Sequence, residues 1–301
     1  MEYAELAAGL AAGGRFVLDG AIGTELNRRG ASLDLWAGLA NVERPDLVLA
    51  VHEDYLAVGA DVISANTFGC SEPRLAAFGA GERMEELNRA AVALAREARD
   101  RAGRSALIAG CVTTVGFRDS PRSVGATPEE EWALVDQCAA LADAGADFII
   151  VEMLSSAAHA NVQLAAAATA GLPVWAGFSC VENGGGLRLM GEPKEPFEES
   201  LPRIGLEGVD VALVMHTTLS LVASALAALR SVWAGPVGAY PHGGEWGRPG
   251  WEFDPSFTPE LLASAAAGWL ADDCRIVGGC CGSTPAHIAA LRRVVDAGKG
   301  D

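Results

Sequence analysis

Short runs of Val, Ile, Leu and Phe alternate along the chain with longer stretches in which apolar residues recur at helical spacing, and this continues from one end to the other. Eight runs read as strands: 15–20 (RFVLDG), 60–67 (ADVISANT), 105–111 (SALIAGC), 146–153 (ADFIIVEM), 173–180 (PVWAGFSC), 209–216 (VDVALVMH), 236–242 (PVGAYPH) and 274–281 (CRIVGGCC). Most are apolar throughout, the pattern of parallel strands covered on both faces. A helical pattern follows each. Three helix starts are announced by a capping Thr before Pro, at Thr127-Pro128, Thr258-Pro259 and Thr284-Pro285. Glycines in AVGAD (57–61), DAGAD (143–147) and AGP (234–236) mark turns from helix into strand.

Eight β-then-α units in 301 residues predict one α/β domain over 1–301, a (β/α)8 TIM barrel. An open doubly wound sheet would carry a GxGxxG turn after its first strand, and DGAIGTEL there is not one. Two connections are long, 20–42 and 243–257. The second, with two tryptophans and four glycines, reads either as a cover for the barrel mouth or as a surface insertion.

A net charge of -17, with Lys194 and Lys299 the only lysines, argues against a nucleic-acid or anionic-membrane partner and for small molecules. No export signal or long apolar span is evident, so a cytoplasmic location is expected, and a homo-oligomer is compatible with the sequence. Seven cysteines in such a chain are expected to be reduced.

In a barrel of this kind the C-terminal strand ends ring the active site. Here they read Asp19, Asn66, Cys111, Glu152, Ser179 with Cys180, His216, His242, and Cys280 with Cys281. The string Gly278-Gly279-Cys280-Cys281-Gly282 is the most informative. Two adjacent cysteines can turn two thiolates toward one ion, with a third ligand from elsewhere and a fourth position open. A buried vicinal pair or a redox pair is the alternative reading.

GGCCGSTPAHI (278–288) resembles the C-terminal signature of the homocysteine S-methyltransferase family, and LDGAIGTELNRRG (18–30), VHEDYLAVGADVISANTFG (51–69) and YPHGGEW (240–246) resemble its other segments in the same order. The resemblance implies a Zn2+-dependent enzyme that methylates homocysteine to methionine, with Cys280 and Cys281 as metal ligands. It places Asp19 and Glu152 where the amino group of the acceptor is held; Glu25, Asn66 and Ser179 complete the expected substrate contacts. At the end of strand six the family carries cysteine, whereas this chain carries His216, an ordinary zinc ligand and the expected third donor. His242 stands where the family has asparagine and is the alternative third ligand.

Zinc would convert a thiol of pKa about 8.5 wholly to thiolate at neutral pH. A sulfonium or betaine-type donor leaves as a neutral group, so no general acid is required. Trp246, Trp251, Phe68 and Phe117 are candidates to cradle that cation. Another thiol or a selenol as acceptor, and a non-catalytic zinc-binding barrel, are the competing readings. Schiff-base chemistry is disfavoured, since neither lysine ends a strand.

Overall fold

The computed structural model describes residues 1–113, 128–247 and 250–298; Phe117, Thr127 and Lys299 lie outside them. The eight barrel strands are β1 (Phe16–Val17), β2 (Val62–Ser64), β3 (Leu107–Val112), β4 (Phe148–Leu154), β5 (Val174–Phe178), β6 (Val209–Thr218), β7 (Val237–His242) and β8 (Cys274–Val277). Each pairs in parallel with its neighbour in sequence, and β8 returns to β1. A parallel bridge between Leu18 and Val62 closes the ring. The expected barrel is the one observed. The first and last strands are shorter than the apolar pattern suggests: Asp19 and Gly278–Cys281 lie beyond them, at the mouth.

The alternation that the sequence hides within its apolar runs appears as two layers. Leu107, Ala109 and Cys111 of β3, Phe148 and Ile150 of β4, and Val211, Leu213 and Met215 of β6 fill the barrel. Their intervening neighbours Ile108, Val112, Ile149, Val151, Ala212 and Val214 meet the surrounding helices. The helix Tyr3–Ala11 plugs the bottom with Leu6 and Leu10. Its Tyr3 hydroxyl donates to Asp210 at 2.7 Å and accepts the Trp175 indole N–H at 2.9 Å.

Outside the strands run α1 (Pro45–Ala57), α2 (Met84–Ala102), α3 (Pro128–Ala144), α4 (Ala157–Ala168), the single turn α5 (Phe197–Ser200), α6 (Val222–Arg230), α7 (Pro259–Ala271) and α8 (Pro285–Ala297). The fifth unit departs from the expected regularity, with a hairpin of Cys180–Asn183 and Gly186–Leu189 before its short helix. Thr258 caps α7 through the Leu261 N–H, and Thr284 forms a capping box with His287 on α8. Gly59 and Gly145 hold φ of 99° and 88° as their turns require, whereas Gly235 lies outside the left-handed region. The aspartates that follow the two turns stitch neighbouring strands, Asp61 accepting the Val17 N–H and Asp147 the Ile108 N–H. No helix among the described residues is long and apolar enough to cross a membrane.

Candidate active site

Three strand ends converge at the mouth. After β8 the chain turns sharply, and the turn is tied to both neighbours: Gly279 N–H to the Asp19 carbonyl (3.0 Å), Cys280 N–H to Pro241 (2.8 Å), and Gly243 N–H to Cys281 (2.8 Å). Gly282, at φ 85°, lies so close to the Gly243 carbonyl that a Cβ there would sit 2.0 Å from its oxygen. These ties present both cysteine sulfurs to the cavity. Opposite them the β6 ladder slips register between Met215 and Thr218, and His216 takes φ 42°, an uncommon conformation for a non-glycine residue.

The result is a compact donor set. Donor atoms of His216, Cys280 and Cys281 all lie within 4.8 Å of one another. His216 Nδ1 is 3.4 Å from Cys280 Sγ, and the two sulfurs are 3.9 Å apart. A tetrahedral zinc with ordinary bond lengths has S–S edges of about 3.8 Å and S–N edges of about 3.5 Å. Imidazole and two thiolates therefore fit such an ion in chemistry and spacing. The hydrogen bond with Cys281 and the adjacent His216 hold the Cys280 thiol well below the usual range, while Cys281, the proton-sharing partner, is raised. His242 is not part of the group: its ring lies 4.5 Å from that of His216, its Nδ1 is buried without a hydrogen-bond partner, and burial pulls its pKa down to about 4.

Two carboxylates face the same cavity, Asp19 buried and Glu152 half-buried. Asp19 accepts the Ser64 N–H at 2.7 Å and its hydroxyl at 2.9 Å, yet burial pushes its pKa up to about 7. Glu152 reaches the mouth because β4 also bulges, with Met153 at φ 59° and the register shifting between Val151 and Leu154. The Tyr240 hydroxyl donates to it at 3.1 Å, while burial, then the Cys280 thiolate, lift its pKa to about 8. An ammonium beside this carboxyl would supply the opposite charge that favours its ionised form.

The cavity holds about 850 Å3. Trp36, Phe68, Trp246 and Trp251 line it together. Trp36 packs 5.1 Å from Trp246, 6.4 Å from Trp251 and edge-on to Phe68 at 5.9 Å. The two tryptophans of the long 243–257 connection sit on a hairpin, Gly244–Trp246 paired with Trp251–Phe253, so that connection covers the mouth. Trp36 belongs to three consecutive left-handed residues, Leu35, Trp36 and Ala37, at φ 52°, 54° and 63°. Gly69 accommodates this turn, since a Cβ there would lie 1.7 Å from the Leu35 carbonyl oxygen.

Not every expected contact is brought here. Glu25 is buried, but its carboxylate is held by Arg28 and Arg29 and does not line the cavity. Ser179 is also absent from the lining; its hydroxyl contacts the sulfurs of Met153 and Met215 at 3.0 Å each. Asn66 lines the cavity, with its amide N–H groups committed to Ala37 and Asn41. The sequence reading missed Tyr240, Trp36 and Arg74. Tyr240 stands two residues before a flagged strand end on the same inward face, and Trp36 falls in a connection flagged only for its length.

The family model for homocysteine S-methyltransferase matches residues 16–295. A homocysteine S-methyltransferase of Zea mays is 30% identical, covering 94% of this chain and 95% of its own length. The methionine synthase of Mycobacterium tuberculosis is also 30% identical over 92% of this chain, which spans only 24% of that longer protein. Among solved structures, the metallated homocysteine methyltransferase MmuM of Escherichia coli superposes with a TM-score of 0.72 at 26% identity, covering 93% of this chain and 96% of that one. With the barrel and its sulfur-rich mouth in agreement with these matches, the chain belongs to the homocysteine S-methyltransferase family and is a thiol S-methyltransferase.

Proposed function

We propose that the protein binds one zinc ion through His216, Cys280 and Cys281 and transfers a methyl group from a sulfonium donor to homocysteine, giving methionine. The observation that carries this reading is the juxtaposition of the three-donor group with the Asp19 and Glu152 carboxylates in one cavity. Zinc, when bound, would supply a thiolate at neutral pH by removing the acceptor's thiol proton. The chain's own residues do the rest. Asp19 and Glu152 hold the acceptor ammonium through charge-assisted hydrogen bonds, and Ser64 and Tyr240 fix their orientation. Trp36, Phe68, Trp246 and Trp251 place their ring faces around the donor cation and exclude water from the line of transfer. Because the donor leaves as a neutral thioether, no residue has to protonate it.

Positioning is the larger contribution. Converting a thiol of pKa about 8.5 to thiolate at pH 7 gains about 30-fold, or about 2 kcal/mol. Holding nucleophile and methyl in line can supply about 7–11 kcal/mol. His216 also leaves the substrate-bound site one unit less negative than three thiolates would. With zinc held there, the acceptor sulfur would be more readily ionised and a weaker nucleophile, which suits a reactive sulfonium donor.

Zinc content and methyl transfer from S-methylmethionine and S-adenosylmethionine to homocysteine, measured on wild type and His216→Ala, test the reading. One zinc per chain, lost in the variant together with activity, is expected. Metal retained without His216 assigns the third ligand elsewhere, with His242 the nearest imidazole. A zinc-loaded wild type with no transfer refutes the proposed reaction.

A further inference from the structure

Ser179 follows β5 directly, and in the ring β5 stands between β4, which carries Glu152, and β6, which carries His216. Its side chain is fully buried behind the cavity wall. The hydroxyl oxygen lies 3.0 Å from the Met153 sulfur and 3.0 Å from the Met215 sulfur. Both methionines line the cavity, Met153 immediately after Glu152 and Met215 immediately before His216. Met215 also borders the group that holds Glu152. A Cβ on Gly177 would lie 3.0 Å from Met215 Cγ and 3.2 Å from the Tyr240 hydroxyl, the donor to Glu152, so the side chain missing at Gly177 leaves space that both groups border.

The backbone at the two bulges is held without the Ser179 hydroxyl. The Ser179 N–H donates to the Leu154 carbonyl at 3.3 Å, while the Thr217 hydroxyl accepts the Cys180 N–H at 3.0 Å and donates to the Met215 carbonyl at 2.9 Å. What the Ser179 hydroxyl adds is restraint on two side chains, its single proton serving either sulfur. Methionine is unbranched, with three rotatable bonds, and adapts to whatever shape it meets, which is why surfaces rich in it accept varied ligands. Two free methionines beside the acceptor would therefore measure no length. Pinned to one oxygen, they make a fixed wall between Glu152 and His216.

Resting on the methyl-transfer reading above, we infer that Ser179 is a positioning residue for the acceptor: it pins the Met153 and Met215 thioethers into the wall along which the methylene chain of an amino-acid thiol lies, and so makes the site selective for the length of that chain. An acceptor with its ammonium at the two carboxylates and its sulfur at the three-donor group spans this wall. Ser179 itself touches neither substrate and acts only through the two methionines.

The test measures kcat/KM of the zinc-loaded enzyme for cysteine, homocysteine and the homologue one methylene longer, with S-methylmethionine as donor. Wild type is expected to prefer homocysteine over each neighbour by about tenfold to two-hundredfold. In Ser179→Ala that preference falls by about threefold to tenfold, through the acceptor KM, with the KM for S-methylmethionine and the zinc content unchanged. Ser179→Cys, which keeps a weaker donor, retains part of the preference. In a Met153→Leu/Met215→Leu background, which keeps the volume and removes both sulfurs, Ser179→Ala changes the preference no further. Methionine-methyl NMR of the metal-free protein reads the restraint without turnover: the Met153 and Met215 signals become motionally averaged in Ser179→Ala. Equal losses on all three thiols, a preference that survives Ser179→Ala, an undiminished effect in the leucine background or unchanged methyl order each overturn the inference while leaving the methyltransferase reading standing. A wild type that methylates none of the three thiols removes that reading instead, and this inference with it.

Discussion

Replacing Glu152 by Gln separates the two demands that the cavity makes on one carboxyl. In the metal-free protein burial lifts Glu152 from 4.5 to about 8. A raised folded-state pKa means the native state binds a proton that the unfolded chain has released, so stability is fully present below pH about 4.5 and is lost as pH rises through about 8. A shift of about 3.5 units corresponds to at most about 5 kcal/mol, and relaxation around the charge brings the expected value to about 2–5 kcal/mol. Gln keeps the shape and still accepts the Tyr240 hydroxyl, but carries no charge to desolvate. Metal-free E152Q is therefore expected to melt with wild type at pH 4.5 and about 4–10 °C above it at pH 9. The zinc-loaded variant should lose about 30- to 900-fold in kcat/KM for homocysteine, the cost of about 2–4 kcal/mol for removing one partner of a buried charge pair. Melting curves at several pH values and kinetics on the same preparations read both effects. A variant no more stable than wild type at pH 9, or one that still uses homocysteine normally, refutes the reasoning.

Tyr240→Phe removes a hydrogen bond to a charged group and should raise the homocysteine KM about tenfold with little change in kcat. Because the hydroxyl favours the ionised carboxylate, the acid limb of the kcat/KM profile should also move to higher pH; a profile that stays in place argues against the role. Gly69→Ala drives a Cβ into the Leu35 carbonyl, and is expected to cost about 1–3 kcal/mol of stability and shift the tryptophan fluorescence as Trp36 is displaced. An unchanged melting temperature and spectrum would mean that the 35–37 turn is not held where the structure has it.

The fold was legible because a period of β then α repeats eight times and because fully apolar runs have one common explanation, a parallel strand covered on both sides. The clustering of three donor side chains was legible for a related reason: in this architecture Cys280, Cys281 and His216 mark strand ends, so residues far apart in sequence could be assigned to one ring. What escaped was direction. Ser179 and Glu25 had the right chemistry and the wrong orientation, one turned to the sulfurs of Met153 and Met215 and the other into an arginine pair. The bulges at Met153 and His216 shift which side chain faces inward, and no periodicity reveals them. Trp36 was hidden differently, since three successive non-glycine residues in the left-handed region run against local preference and are imposed by packing against Gly69.

The closure of the barrel also sets when during folding the site can exist. Gly279 donates to the Asp19 carbonyl, Ala21 donates to Ser283, and Gly282 donates to Thr24, contacts that span almost the whole chain. Strand β1 holds its place by pairing with β8 and by one bridge to β2. A nascent chain that has not yet made β8 has one carboxylate on an unanchored edge and no cysteine pair, so both the donor group and the cavity wall are incomplete. Such long loops close late. The mouth of the barrel, with its donor side chains, is consequently among the last features to form.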